Sequence, residues 1–171
     1  MFRRMLVLAT IAAALVLPAS VRGESGGLEA PKGRVVLTIS GNISRTNKGN
    51  TAVFDIEMLE KIGIKTIETG TPWTDGVSTF EGVLARDLMH AVGAKGDTVL
   101  ATALNDYFVE IPMSDFDDYD VILAFRMNGE RLRVRDKGPI WVLYPFSSVS
   151  EIQSTLFYSR AIWQLKSMDV R

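Results

Sequence analysis

A cluster of carboxylates is the first feature of the chain that could bind a metal ion, because calcium prefers oxygen ligands. Its members are Asp115, Asp117, Asp118 and Asp120. A calcium loop also requires glycine at its sixth position and a bidentate glutamate at its twelfth. Counted from Asp115, those positions hold Asp120 and Arg126, so both requirements fail. We interpret the cluster as a solvated turn that follows Pro112 and is capped by Ser114.

Thiol and imidazole chemistry is restricted by the composition of the chain. The 171 residues include no cysteine and a single histidine, His90. The lack of cysteine excludes disulfides, thiolate zinc sites, iron–sulfur clusters and a cysteine nucleophile, and one imidazole excludes a multi-histidine metal site within the chain. His90 is predicted to end a helix, one turn beyond Arg86, where a cation interacts favourably with the helix dipole. Gly-x-Ser-x-Gly occurs only at Gly23–Gly27, where no predicted strand precedes it as a nucleophile elbow requires, and no glycine-rich nucleotide-binding loop occurs.

Three arginines alternate with apolar residues in one short segment. Arg131, Arg133 and Arg135 are separated by Leu132 and Val134. At strand period the three guanidinium groups share one face, while the two apolar side chains face the core. Such a row suits a phosphate, a carboxylate or an acidic partner surface. The alternative is the polar outer face of an edge strand, where basic side chains also discourage aggregation.

Trp73 is the aromatic residue whose position points most directly to binding. Several other aromatic residues, among them Phe125, Trp141 and Tyr144, lie in predicted strands, where they are expected to belong to the core. Trp73 lies instead in the segment Gly70–Gly76, a loop that combines glycine, proline and aspartate. Binding residues are often carried by structured loops that follow a strand. Trp73 is therefore a candidate binding residue.

The elements that must position these residues are mostly short strands. Alternating and β-branched runs predict strands at 35–40, 65–69, 98–103, 107–111, 121–126, 132–134, 140–144 and 161–169. Apolar residues at helical spacing predict two short helices, at 54–62 and 83–92, and a glycine follows each of them. The predicted fold class is α+β, with a mixed or mainly antiparallel sheet and a few short helices.

The N-terminus is typical of a secretory signal peptide. Arg3 and Arg4 precede an apolar run over 5–17, and small residues precede a cut after Gly23. The run is shorter than the roughly 20 residues that cross a bilayer, although an uncleaved membrane anchor is the alternative. We expect a signal peptide over 1–23, a flexible leader over 24–34 and a single domain over 35–171. In a Gram-negative bacterium the mature protein would be periplasmic.

Composition and charge narrow the range of partners. The chain is 47% apolar and 23% charged, which is globular composition and is long enough for a substantial core. Cleavage after Gly23 removes three of the 19 basic residues and none of the 20 acidic ones. The mature chain is therefore acidic, which argues against binding to nucleic acid or to an anionic membrane surface. We expect no stable membrane span after cleavage.

Five segments between Val35 and Pro145 occur in a characteristic order. They are Thr66–Thr69, Phe80–Met89, Asp106–Pro112, Val121–Glu130 and Lys137–Pro145. The fourth, Val-Ile-Leu-Ala-Phe-Arg-Met-Asn-Gly-Glu, is similar to Val-Leu-Leu-Ala-Tyr-x-Met-Asn-Gly-Glu. The fifth contains Gly-Pro-Ile-Trp, which is similar to Gly-Pro-Leu-Arg. Together the segments resemble the molybdopterin-binding oxidoreductase domain, and the resemblance implies a sulfite-oxidase-like fold.

The chain departs from that family at the residues that would serve the metal. In the family a cysteine thiolate ligates molybdenum at the position that matches Thr69, and a threonine hydroxyl is a much poorer soft ligand. Trp141 stands where the family leads one to expect an arginine near the cofactor. The loop Gly70–Trp73 lacks the Asn-Arg-Arg run of sulfite oxidases. These departures predict a family member without ordinary molybdenum redox catalysis, with no cofactor or metal expected.

Three functional hypotheses follow. In the first, the former cofactor cleft binds a small ligand or a partner protein, as the sensing or accessory subunit of a membrane signalling protein. Its candidate binding residues are Thr69, Trp73, Asp75, Tyr107 and Trp141, with Arg126 and Arg131 nearby. In the second, the chain is a molybdopterin-dependent oxidoreductase with an oxygen ligand or no protein ligand on the metal. In the third, it is a structural envelope protein without a pocket function.

Overall fold

The computed structural model describes residues 27–171. The predicted signal peptide over 1–23 lies outside the described residues, as does the start of the predicted leader. Within 27–171, no helix is both long enough and apolar enough to cross a membrane.

Five strands form the first sheet, with the bounds β1 Leu37–Gly41, β2 Ala52–Phe54, β5 Thr98–Ala103, β6 Phe108–Pro112 and β10 Leu165–Val170. Their order is β2-β1-β10-β5-β6. The β1–β10 pair is parallel and the other three pairs are antiparallel. The last strand of the chain therefore lies in the middle of this sheet, where it joins β1 to the β5–β6 hairpin.

The second sheet is antiparallel and contains β3 Lys65–Gly70, β4 Val77–Leu84, β7 Ile122–Met127, β8 Glu130–Arg131 and β9 Trp141–Leu143. Its order is β3-β4-β7-β8, and β9 also pairs with β7. A β-bulge at Glu81/Gly82 lies in the β4–β7 pair, where a Cβ on Gly82 would lie 2.3 Å from the carbonyl oxygen of Leu123. Only glycine allows this close approach of the two backbones.

Four short α-helices connect the strands: α1 Ile56–Ile62, α2 Ala85–Val92, α3 Met113–Asp118 and α4 Thr155–Arg160. Two 3₁₀ turns, at Val134–Asp136 and Ser150–Ile152, lie in the connections. Buried residues of both sheets belong to one continuous hydrophobic cluster. The predicted α+β class with mixed and mainly antiparallel pairing is confirmed, and the arrangement is consistent with a sulfite-oxidase-like fold.

The predicted arginine strand is wrong. The strand β8 contains only Glu130 and Arg131, and the chain then turns through the 3₁₀ turn Val134–Asp136. Leu132 is buried as predicted, but Val134 is 47% exposed, so the alternation of apolar and basic residues does not correspond to two faces of a strand. Arg133 and Arg135 both approach the carboxylate of Asp136, at 3.3 and 3.5 Å. Instead of a row of arginines along one face of a strand, the structure has ion pairs within a turn.

Two further predictions are corrected. The acidic cluster is not a solvated turn, because three of its four members lie in α3 and Asp115 is only 5% exposed. The predicted strand over 161–169 is shorter, since β10 begins at Leu165, and the preceding helix α4 was not predicted. None of the residues of α4 is fully buried, so its sequence lacks the apolar face from which a helix is usually predicted.

Asp55 anchors both the start of α1 and part of the predicted leader. Its carboxylate accepts hydrogen bonds from the backbone N–H groups of Met58 at 2.9 Å, Lys32 at 2.8 Å and Gly33 at 2.6 Å. Burial alone would raise the pKa of this carboxyl, but the three backbone donors favour the charged form, and the pKa lies below its usual value of 3.8. Asp55 is therefore an N-cap that also joins two distant segments.

We expect Asp55 to make the protein sensitive to acid. A lowered folded-state pKa contributes stability that is present above the unfolded value of 3.8 and is lost as the pH falls through the folded value. Urea unfolding between pH 6 and about pH 3 should therefore show a smaller loss of stability for Asp55→Asn than for the wild type. The control is Asp87→Asn, an acid in the first turn of α2. An Asp55→Asn profile as steep as the wild-type profile would contradict this role.

Candidate functional site

An aromatic cleft of about 460 Å³ lies where three segments meet. The β3–β4 loop contributes Trp73, the β5–β6 hairpin contributes Asn105 and Tyr107, and α4 contributes Tyr158. The remaining lining residues are Ala103, Thr155, Ser159, Ala161, Ile162 and Trp163. None of the lining residues is charged, so the cleft offers aromatic faces and a few neutral polar groups.

The loop that carries Trp73 is held by its own hydroxyl groups. The Oγ1 atoms of Thr71 and Thr74 are 2.9 Å apart, and the backbone N–H of Trp73 donates to Thr71 Oγ1 at 3.2 Å. Gly76 ends the loop with a φ of 65°, which glycine adopts without strain. These contacts fix the backbone on both sides of the tryptophan, as a binding residue requires.

The tip of the β5–β6 hairpin forms the second wall. Asp106 has a φ of 65°, a conformation that aspartate tolerates in tight turns. Ala103 N–H donates to the carbonyl of Tyr107 at 2.8 Å and closes the turn. Tyr107 is left 50% exposed at the mouth of the cleft. Its ring is therefore available to a ligand and contributes little to the core.

The third wall, α4, is held by a buried ion pair. The Arg160 guanidinium at its C-terminus donates to both carboxylate oxygens of Asp115, at 3.2 and 2.9 Å. The Tyr144 hydroxyl donates to the same carboxylate at 2.7 Å. Burial, followed by this hydrogen bond, raises the pKa of Tyr144 well above its usual value, so the phenol stays protonated and remains a donor. The network fixes the position of Tyr158 and its neighbours in the cleft.

All three tryptophans of the chain lie in one cluster. The Trp73 ring centroid is 5.9 Å from that of Trp141 and 5.3 Å from that of Trp163, in edge-to-face geometry. Trp141 is fully buried and its indole N–H donates to the carbonyl of Ala161 at 3.0 Å. Trp141 thus forms the base of the cluster, whereas Trp73 and Trp163 form its outer surface.

A second cavity, of about 300 Å³, lies on the other side of Trp73. We call it the polar pocket. It is lined by Trp73, Thr74, Asp75, Ser78, Met127, Arg135, Asp136, Lys137 and Trp141. Two predicted site residues besides Trp73, namely Asp75 and Trp141, therefore lie here and not in the aromatic cleft. Four of the seven predicted site residues therefore line one or both of these cavities, which share Trp73.

Thr69 lies in neither cavity. It is fully buried, and its hydroxyl accepts a hydrogen bond from the backbone N–H of Ser147 at 3.0 Å. The same hydroxyl lies 3.1 Å from the carbonyl oxygen of Gly70, to which it donates, and Gly70 N–H donates to Ser147 Oγ at 2.8 Å. The Thr69 hydroxyl thus both accepts and donates, and together with the Gly70 N–H it joins the end of β3 to the segment after β9.

We expect that removing the Thr69 hydroxyl lowers the free energy of unfolding. Thr69→Val keeps the volume but removes the hydroxyl that accepts from the Ser147 N–H and donates to the Gly70 carbonyl, which should cost about 0.5–1.5 kcal/mol of unfolding free energy. Thr69→Ser should retain most of the wild-type value. The matched control is Thr66→Val on the same strand, where the side chain is exposed, and urea titration is the measurement. Equal losses for the two valine variants would contradict the proposed link.

The predicted nearby arginines are engaged elsewhere. Arg126 donates to Glu81 at 3.1 Å and to Glu60 at 2.5 Å, and Arg131 donates to the same Glu60 carboxylate at 2.6 Å. Both guanidinium groups also lie over the Phe125 ring. Neither arginine lines the aromatic cleft or the polar pocket. They join α1 to the second sheet, and the structure does not bring them together with Trp73.

Sequence reasoning missed the residues that α4 and the following segment supply to the cleft. They are Thr155, Tyr158, Ser159 and Trp163. The family motifs extend only to Pro145, so the resemblance says nothing about α4. The one feature of the sequence that could have predicted this helix is Ser154, a residue type that often precedes the first turn of a helix. Among residues 27–171, no group of three or more histidine, aspartate or glutamate side chains is placed to hold a metal ion.

Comparison with known proteins gives one finding. The family model described as the oxidoreductase molybdopterin binding domain matches residues 48–149. This range includes Thr69, Trp73 and the β5–β6 hairpin but ends before α4. No curated protein matches the chain at a significant level.

Proposed function

Because this chain belongs to the oxidoreductase molybdopterin binding domain family, we propose that it is a cofactor-free member that binds a small, uncharged organic ligand in the aromatic cleft. The observation that carries this proposal is the composition of that cleft. Trp73, Tyr107, Tyr158 and Trp163 surround about 460 Å³ without a charged side chain. Concave apolar sites of this size with a few neutral polar groups are typical of small-molecule binding.

The residues present do not fit a molybdopterin cofactor. The chain has no cysteine, and a hard hydroxyl is a poor ligand for a metal that the family binds through a thiolate. Thr69 could bind a metal only after losing its hydrogen bonds to Ser147 and Gly70. Molybdopterin also carries a phosphate, and the aromatic cleft supplies no cation to neutralise it. No redox step is therefore assigned to these residues.

The setting we propose is the periplasm. The basic and apolar N-terminus is typical of an exported protein, and export would bring the domain to the outer surface of the inner membrane. A ligand-binding domain without its own redox chemistry is suited to a sensing or accessory role beside a membrane signalling protein. In that role, the partner protein would respond to whether the cleft holds a ligand.

Tryptophan fluorescence offers a direct test of ligand binding. We would titrate the protein with 2-naphthol, an uncharged bicyclic probe that matches the cleft chemistry. Because every tryptophan belongs to the cluster beside the cleft, bound probe should change the emission in a saturable way. Tyr107→Ala removes one aromatic wall and should weaken binding by roughly tenfold, the equivalent of about 1.4 kcal/mol.

The neighbouring residue provides the control. Phe108 is 64% exposed and does not line the cleft, so Phe108→Ala removes a similar ring without changing the site. It should bind the probe as the wild type does. If the two variants bind equally well, or if the wild type gives no saturable signal, the proposal is refuted. Native mass spectrometry of protein from its natural host would then identify any retained small molecule.

A further inference from the structure

The polar pocket carries four charged side chains, and they are not equivalent. They are Asp75, Arg135, Asp136 and Lys137. The Asp136 carboxylate already lies 3.3 Å from the guanidinium of Arg133 and 3.5 Å from that of Arg135. Within the described part of the chain, Asp75 and Lys137 form no ion pair. One negative and one positive group therefore line the same cavity without a partner.

Lys137 is held in place by features other than a carboxylate. Its Nζ lies 5.6 Å from the Trp141 ring centroid and 5.9 Å from that of Trp163, distances at which an ammonium is attracted to an aromatic face. Its backbone has a φ of 72° and its carbonyl accepts from Gln164 N–H at 2.9 Å. A non-glycine residue in this conformation requires fixation by its surroundings. The ammonium is therefore positioned before any ligand arrives.

Besides the charged residues, the polar pocket is lined by neutral polar and apolar side chains. Ser78 is a nearly buried hydroxyl residue at its lining, and Met127, Trp73 and Trp141 supply apolar surface. A ligand with a single charge would meet one favourable group and one of like sign. A ligand that carries both charges can satisfy both groups at once.

We propose that the polar pocket is a binding site for a small zwitterion of the free amino acid class. The ligand carboxylate would bind Lys137, its ammonium would bind Asp75, and its side chain would lie against Trp73. This site is separate from the aromatic cleft, although Trp73 forms a wall of both. The cleft ligand is uncharged, whereas this one needs both charges.

Calorimetric titration with the common L-amino acids tests the assignment. Each amino acid is compared with two analogues: the carboxylic acid that lacks the amino group and the amine that lacks the carboxylate. At least one amino acid should bind at least about tenfold more tightly than both of its analogues. Lys137→Met, which keeps an apolar stem beside the indoles, and Asp75→Asn should each weaken that binding by about tenfold or more.

Three control variants complete the test. Lys48→Met and Asp117→Asn make the same charge changes at exposed positions outside the pocket and should leave the affinity unchanged. Tyr107→Ala, which alters only the aromatic cleft, should also leave it unchanged, so failure of one site is distinguishable from failure of the other. The assignment is overturned if no amino acid binds, if an analogue binds as tightly, or if neither Lys137→Met nor Asp75→Asn weakens binding.

Discussion

Replacing Asp115 with alanine is expected to lower the free energy of unfolding by about 3–5 kcal/mol, the range for breaking a buried ion pair. The Asp115 and Arg160 side chains are 8% and 15% exposed, and their closest atoms are 2.9 Å apart. Removing the carboxylate leaves a largely buried guanidinium and the buried Tyr144 hydroxyl without an acceptor. The edge-to-face contacts of Phe157 with Tyr144 and of Tyr158 with Phe146 remain, so the expected loss is that of the ion pair and its hydrogen bonds.

Urea unfolding of Asp115→Ala and Asp117→Ala gives the measurement. Asp117 lies two positions away on α3 but is exposed, so its replacement should change stability by less than about 0.5 kcal/mol. Asp115→Asn keeps an oxygen acceptor and should fall between the two alanine variants. An Asp115→Ala variant as stable as Asp117→Ala would show that the network does not hold α4. The walls of the aromatic cleft would then depend on other contacts.

Truncating Trp141 is the second change with a large expected effect. Trp141→Ala should destabilise the protein by about 3–5 kcal/mol, because a large side chain that is fully buried leaves a cavity. The variant also loses the indole hydrogen bond to Ala161 and the edge-to-face contacts with Phe80 and Trp73. The position that the family resemblance associates with a cofactor-binding arginine is therefore occupied here by a core residue.

Comparison with Tyr107→Ala separates packing from binding. Tyr107 is half exposed, so its truncation should change the unfolding free energy by no more than about 0.5 kcal/mol while weakening 2-naphthol binding. Trp141→Phe retains a ring but not the hydrogen bond, and should be less stable than wild type by a smaller amount than Trp141→Ala. If Trp141→Ala loses no more stability than Tyr107→Ala, the tryptophan cluster does not have the structural role assigned to Trp141.

The sequence predicted those parts of the fold whose signal is local. The strands at Thr98–Ala103 and Ile122–Met127 follow from β-branched and apolar runs, and α1 follows from helical spacing after Asp55. The arginine alternation was misleading because a strand needs a partner over its whole length. The Leu132 N–H still donates to the Phe125 carbonyl at 2.9 Å, but beyond Leu132 the chain leaves the sheet and turns. Asp136 then attracts Arg133 and Arg135.

The candidate site was less predictable, because it depends on contacts between distant segments. Trp73 was identified from its loop and Tyr107 from its place in a family motif, and both line the aromatic cleft. The third wall could not be predicted, because α4 is held by Asp115, which is 45 residues away along the chain. The spacing of apolar residues along the sequence does not indicate which distant residues form an ion pair. The same limitation applies to Lys137, whose ammonium lies over the distant Trp163 as well as over the nearby Trp141.

The absence of cysteine from the chain has a specific structural counterpart. At Thr69, where the resemblance implies the family's metal ligand, the hydroxyl instead accepts from the Ser147 N–H after β9 and donates to the Gly70 carbonyl. Where the resemblance implies a metal ligand the chain has a structural hydrogen bond, and where it implies an arginine near the cofactor the chain has the buried Trp141. We propose that this scaffold binds an organic ligand without a redox centre.

The molybdenum and tungsten content of the purified protein tests whether the domain is free of the molybdopterin cofactor. The full chain, with its N-terminal segment, would be produced in a host that makes the molybdopterin cofactor, then purified without chelators and analysed by inductively coupled plasma and native mass spectrometry. A cysteine-containing member of the family from the same host establishes that cofactor is supplied. We predict that this chain carries no stoichiometric molybdenum, tungsten or pterin. Stoichiometric metal together with a bound pterin would contradict the account and identify the chain as a molybdopterin-dependent oxidoreductase.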